Sequence, residues 1–117
     1  MDTFKKLIGQ LFPGIVTYLN MFTVYVLYSQ KHNKIYIGYT SDLENRIRSH
    51  NELGTNGHTL KFRPWIILFT EVYPTKTEAI IREKQLKGGK GREHIWIIVR
   101  EKSREERDHE DGFDIAR

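Results

Sequence analysis

Cysteine is absent from the 117 residues, which excludes a disulfide framework, a thiolate zinc site and a cysteine nucleophile together. A reducing compartment suits such a chain, and a cytoplasmic location is expected. Long hydrophobic runs are also missing. The apolar stretch Leu7 to Phe12 is interrupted by Gly9 and Gln10 and broken by Pro13 and Gly14. It falls well short of the roughly 18 to 20 apolar residues a membrane span needs. Lys5 and Lys6 precede it as in a secretory leader, but no small-x-small cleavage site follows, so neither leader nor membrane partner is expected. Residues 1–20 read as a loose extension, and Met21, directly before the first strand pattern, is a second candidate start. At this length one folded domain is expected. What is present is 38% hydrophobic residues with six tyrosines, six phenylalanines and two tryptophans, enough to close one modest core.

Charge is spread unevenly. The formal net charge is +4, yet residues 21–100 alone carry 13 basic and 7 acidic side chains, whereas residues 101–117 carry 4 basic and 7 acidic. A basic body with an acidic-leaning tail points toward a polyanion, most simply nucleic acid, because Lys and Arg that neutralise phosphates release counterions. Charge alone does not separate that reading from a solvated basic surface without a ligand.

The run FTVYVLYS from Phe22, the polar segment Gln30 to Lys34, and IYIGYT form a β-hairpin pattern. Ser41 followed by Glu44 is a capping-box spacing, and it opens the helix DLENRIRSH with Leu43 and Ile47 on its buried side. Residues 51–63, with Gly54, Asn56 and Gly57, read as an exposed loop. Pro64 introduces a third strand whose run Ile66 to Phe69 lacks polar alternation, so burial on both faces is expected. Thr75 to Glu78 repeats the capping box before a helix that stops near Gly88. The Ile95, Ile98, Val99 spacing after the glycine joint favours helix over strand, and past Asp108 the tail reads as disordered. The order is β-β-α-β-α-α, an α+β domain with a small three-stranded antiparallel sheet flanked by helices over residues 21–100.

Chemistry concentrates in few places. Tyr25, Tyr28, Tyr36 and Tyr39 lie within two short strands, more phenols than a core normally holds, because a buried hydroxyl needs a partner. If paired positions sum to an odd number, Tyr25 and Tyr36 share a face; if even, Tyr28 and Tyr36 do. The turn does not decide between them. Gly38 marks a bulge or a close approach in the second strand. Glu83 lies beside the stripe of Ala79, Ile80 and Leu86, so its carboxylate needs a partner. A salt bridge to Arg46 or Arg82 is the plainer reading, and a hard divalent cation is the functional one. His50, on a stripe with Arg46, reads as a packed or capping histidine before it reads as a base.

The hairpin TVYVLYS and IYIGYT, then SDLENRIRSHN, PWIILFTEVY and EAIIREKQLK, resembles the GIY-YIG nuclease family over roughly residues 22–100. Val24-Tyr25 stands where the first motif has Ile-Tyr, and Tyr36-Ile37-Gly38 reproduces the second. Thr23 occupies the first motif's glycine position. The likeness is closest to short single-domain bacterial members related to the excision-repair incision nuclease domain. It implies a DNA endonuclease, of repair or recombination, working with Mg²⁺ or Mn²⁺ and no small-molecule cofactor, with a protein partner for targeting as an option. The resemblance assigns catalysis to Tyr25, Tyr36, Arg46 and Glu83, the metal to Glu83, and accessory places to Tyr39 and His50. Either Tyr25 or Tyr36 would take the water's proton, its pKa lowered by a nearby cation. Lys61, Arg63, Lys84, Lys87, Lys90 and Arg92 would meet backbone phosphates. The competing class is a non-catalytic nucleic-acid-binding module that kept the fold.

Overall fold

In a computed structural model of the chain, which describes residues 2–12, 21–53 and 57–115, the β-branched and aromatic run Phe22–Ser29 forms strand β1. Lys34–Thr40 forms β2 and Ile66–Tyr73 forms β3. The sheet order is β2-β1-β3 with both pairings antiparallel. The hairpin turn is closed by Asn33 at φ 52°, a left-handed conformation that asparagine tolerates well, with the Tyr28 hydroxyl donating to Asn33 Oδ1 at 3.1 Å.

The register pairs Tyr25 with Gly38 and Leu27 with Tyr36, which is the odd-sum alternative. Tyr25, Leu27, Tyr36 and Gly38 therefore share one face, and Val24, Val26, Ile35, Ile37 and Tyr39 the other. Both-face burial belongs to β1, where Val24 to Leu27 are all buried, and not to β3 as the apolar run suggested. The central strand β1 is covered on both faces, whereas the edge strand β3 leaves Ile66 42%, Ile67 41% and Val72 55% exposed; edge position alone does not decide this, since the other edge strand β2 buries Ile35 and Ile37. A register shift between Val26 and Leu27 places Leu27 opposite Ile67.

Helix α1, Asp2–Leu11, replaces the loose extension expected at the N-terminus. Phe4, Leu7, Ile8 and Leu11 recur at helical spacing, and Gly9 costs a helix only roughly 1 kcal/mol relative to Ala. Pro13 and Gly14 lie outside the described residues. Helix α2, Leu43–Arg48, starts one residue later than the capping box implied. Asp42 is the cap, with Oδ1 accepting from the Asn45 N–H and Oδ2 from its side-chain amide at 2.8 Å, geometry that Asp supplies as well as Ser.

The segment 51–63 is not a simple exposed loop. A π-helical turn, Ser49–Leu53, continues α2, and Gly57–Lys61 forms a short helix α3 whose Thr59 is buried. Residues 54–56 lie outside the described residues. Helix α4, Lys76–Lys87, begins with the expected box: the Thr75 hydroxyl accepts from the Glu78 N–H and donates to its carboxylate. Arg82 ties α4 to β3 through a bidentate pair with Glu71, at 2.7 and 3.2 Å, and the Tyr73 hydroxyl donates to the same carboxylate.

The chain divides into two units, residues 1–83 and 84–117. In the second, α4 ends at Gly88 and helix α5 runs Gly89–Ile115, helical as expected and continuing past Asp108. Gly91 is required there, because a Cβ would lie 2.5 Å from Leu86 Cα, which cannot move aside cheaply. Leu86, Ile95 and Val99 are its buried residues. No helix among the described residues is long and apolar enough to cross a membrane.

The difference between central and edge strand is measurable on one ladder pair. Leu27→Ala should cost ~2 to 5 kcal/mol as a buried cavity. Ile67→Ala, its partner on β3, should cost about 0.5 kcal/mol or less by urea unfolding. Equal losses would contradict the edge assignment.

Candidate active site

The face defined by Tyr25, Leu27, Tyr36 and Gly38 is where chemistry gathers. Tyr25 is 2% exposed, and its ring fills the space above Gly38: a Cβ at position 38 would lie 2.6 Å from the Tyr25 hydroxyl and 2.8 Å from Cζ. The glycine is thus neither a bulge nor a flexible joint. It makes room for a phenol ring on the neighbouring strand. Tyr36 stacks on Tyr25 with centroids 6.2 Å apart and an interplanar angle of 22°.

His50 completes the cluster. It is buried, its Nε2 lies 2.9 Å from the Tyr25 hydroxyl, and its ring centroid is 4.5 Å from that of Tyr36. With the imidazole proton on Nδ1, the Tyr25 O–H donates to Nε2. Leu43 and Ile47 pack against the Tyr25, Leu27 and Trp65 core and so seat α2, which delivers His50 at its π-helical end.

A second segment holds that turn in place. Arg63 donates Nε to the His50 carbonyl and a terminal N–H to the Ser49 carbonyl at 3.0 Å, covering acceptors that the helix end leaves open. Asn51 clasps the backbone of Trp65 in both directions, at 2.7 and 2.9 Å. Trp65 in turn donates its indole N–H to the Thr59 carbonyl and sets its edge on Tyr36, centroids 6.2 Å apart. Arg63 is accordingly a tether of the site, with Nε and one terminal nitrogen engaged by backbone carbonyls. Trp65 and Asn51 were not legible as site residues; the only sign was the Pro64-Trp65 step at the strand entrance.

The electrostatics assign protons. Burial pushes the Tyr25 phenol well above its ordinary value, Tyr36 and Glu83 act in the same direction, and Arg46 opposes them. The expectation that a neighbouring cation lowers this phenol is therefore not met by Arg46, because burial dominates. His50 is held below the usual histidine range, first by burial and then by the charges of Arg46 and Arg63. At neutral pH the pair is a protonated phenol facing a neutral imidazole. Arg46 and Glu83 both act on the Tyr25 hydroxyl, Arg46 as an exposed residue of α2 and Glu83 as a half-buried residue of α4.

Tyr39 is not brought to this face, since it pairs with Val24 and alternation turns it away. Lys61 is exposed at the end of α3. Lys84, Lys87, Lys90 and Arg92 are exposed on the second unit. No group of three or more His, Asp or Glu side chains that could hold a metal occurs among the described residues. A single half-buried carboxylate, Glu83, suits a small hard cation that keeps most of its water and takes other oxygens from substrate phosphate. It does not suit a closed all-protein cage.

A family model described as the GIY-YIG catalytic domain matches residues 21–95. The chain is 37% identical over 57 residues to a UPF0213 protein of Staphylococcus haemolyticus, covering 49% of this chain and 70% of that one. Against a UPF0213 protein of Staphylococcus saprophyticus it is 38% identical over 61 residues, with 49% and 70% covered. With the UPF0213 protein YazA of Bacillus subtilis it shares 39% over 57 residues, covering 49% and 58%.

Gly38→Ala tests the geometry. The Tyr25 ring must move, and with it the hydroxyl leaves His50, so a loss of ~1 to 3 kcal/mol in urea unfolding is expected together with a changed His50 ring signal by NMR. An unchanged His50 signal would mean that the ring yields without disturbing the pair.

Proposed function

Because the chain belongs to the GIY-YIG family, a family of nuclease catalytic domains, we propose that the Tyr25 face hydrolyses phosphodiester bonds in DNA with a divalent cation held by Glu83. The observation that carries this reading is the buried Tyr25 hydroxyl bonded to a histidine kept neutral, under the charges of Arg46 and Glu83.

In this mechanism water attacks phosphorus in line with the 3′ oxygen. The water's proton passes to the Tyr25 oxygen as the Tyr25 proton passes to His50 Nε2, so no free phenolate is needed. The raised phenol pKa disfavours a free phenolate, which the concerted path avoids, and the lowered imidazole pKa keeps Nε2 unprotonated and open, although it makes His50 the weaker base. Tyr36, stacked on Tyr25 and packed on His50, fixes both rings and orients the water with its own hydroxyl. Arg46 donates to the non-bridging oxygens as negative charge builds, a forked contact that Lys cannot copy. The cation, when bound, offsets charge on the scissile phosphate and on the departing 3′ oxygen. Mg²⁺ and Mn²⁺ both meet the requirement of a one-carboxylate site. The reading extends to branched or damaged DNA in repair or recombination, where selectivity would come from DNA shape.

Supercoiled, linear, single-stranded and branched DNA incubated with and without Mg²⁺ tests the proposal. Cutting should require the metal and disappear in Glu83→Ala, while DNA binding survives. Arg46→Lys should lose roughly 10² to 10³ in rate, the usual effect of removing one transition-state donor. The active form holds a neutral His50, so activity should persist below the ordinary histidine pKa of about 6.5 and fall only as the pH drops through the lower folded value. Binding without cutting on every substrate would identify a non-catalytic binding module instead.

A further inference from the structure

The path of the nucleic acid away from the catalytic face is marked by a second cluster, at Phe62. This half-buried ring lies edge-on to Trp65 at 6.5 Å and edge-on to His32 at 5.5 Å. Two ammonium groups sit over it: Lys34 Nζ at 5.5 Å and Lys61 Nζ at 5.6 Å from the ring centroid. Lys34 opens β2 and Lys61 closes α3, so the fold brings them from distant parts of the sequence to one aromatic ring.

Like charges gathered in this way repel. Both lie on one centroid, so they are at most about 11 Å apart, close to one Debye length at 0.1 M salt. Among the described residues neither Lys34 nor Lys61 is paired with a carboxylate, in contrast to Arg48 with Glu52 and Arg82 with Glu71. Each cation gains ~0.5 to 1 kcal/mol from an exposed ring, which restrains it without neutralising it. An anion between the two lysines would relieve their repulsion at little further cost in side-chain ordering.

The cluster is also connected to the site. From Tyr36 to Trp65 to Phe62 the rings step by 6.2 and 6.5 Å, a rigid aromatic ridge that ends at the two lysines and the hairpin turn with Lys31 and His32. We propose that Lys34 and Lys61, held over Phe62, clamp backbone phosphates of the DNA strand a few nucleotides from the bond at the Tyr25 face, so that the strand leaves the site past the β1–β2 turn. The proposal rests on the nucleic-acid reading above and adds a direction to it. Lys61 was expected to meet phosphate; Lys34 and its pairing through Phe62 emerge only from the fold. The contact reads no base, so it would act alike on any sequence.

The test is the salt dependence of binding, measured by fluorescence anisotropy with a labelled DNA duplex and with a single strand in metal-free buffer, where no cutting intervenes. Each phosphate contact contributes about 0.9 to the slope of log K against log salt on duplex and about 0.7 on a single strand. Lys34→Ala/Lys61→Ala should therefore reduce the slope by about 1.4 to 1.8, depending on the strand form. Lys76→Ala/Arg104→Ala, which removes the same net charge elsewhere, should leave it within about 0.5. If the parent protein binds and the Lys34/Lys61 double variant keeps the parent slope, the clamp is wrong while the nucleic-acid reading stands. Equal reductions in both double variants would show a net-charge effect and also overturn the clamp. If the parent protein neither binds nor cuts DNA, both readings fall.

Discussion

The hydrogen bond between the Tyr25 hydroxyl and His50 Nε2 is the interaction on which the candidate site depends. It is made in the interior, where a phenol and an imidazole are both costly to bury unpaired, so each satisfies the other. The pair can form only because position 38 carries no side chain and because the hairpin register sets Gly38 opposite Tyr25. Burial then acts on the two groups in opposite senses, raising the phenol and lowering the imidazole. A proton donor and a neutral acceptor are thereby placed side by side before any substrate arrives.

Much of the surrounding structure serves to keep His50 where it is. The end of α2 loosens into a π-helical turn, a geometry often found at functional sites, and such a turn has carbonyls in need of donors. Arg63 supplies them, Asn51 fastens the turn to the Trp65 backbone, and Trp65 presses its edge on Tyr36. Arg63 thus acts twice, as a brace for the turn and as a charge that helps keep the imidazole unprotonated. The tie between Arg82 and Glu71 plays a comparable part for α4, the helix that carries Glu83.

The sequence pattern was enough to find the hairpin, the α+β order, the helix after the glycine joint and the second capping box, because each follows from local periodicity or side-chain chemistry. Motif spacing singled out Tyr25, Tyr36, Arg46 and Glu83, whereas His50 read as a packed or capping histidine and an accessory at most. What local pattern could not supply was long-range. The hairpin register had two solutions, and β3 looked central because its composition is apolar, although only sheet order decides which strand has two neighbours. Arg63 looked like any surface cation, and only the fold brings it to the Ser49 and His50 carbonyls. Tyr39 was separated from Tyr25 by one step of strand alternation, which is invisible until the register is known. The N-terminal helix was obscured by Gly9 and by the nearby Pro13 and Gly14, residue types that ordinarily interrupt or end a helix.

The central claim is that His50 is a neutral acceptor for the Tyr25 proton at the pH where the protein works. An NMR pH titration of the His50 ring in the intact chain tests it directly. The account predicts a midpoint below the ordinary histidine value of about 6.5, with Nδ1 carrying the proton in the neutral form. A midpoint at or above 6.5, or a neutral ring protonated on Nε2, would contradict it.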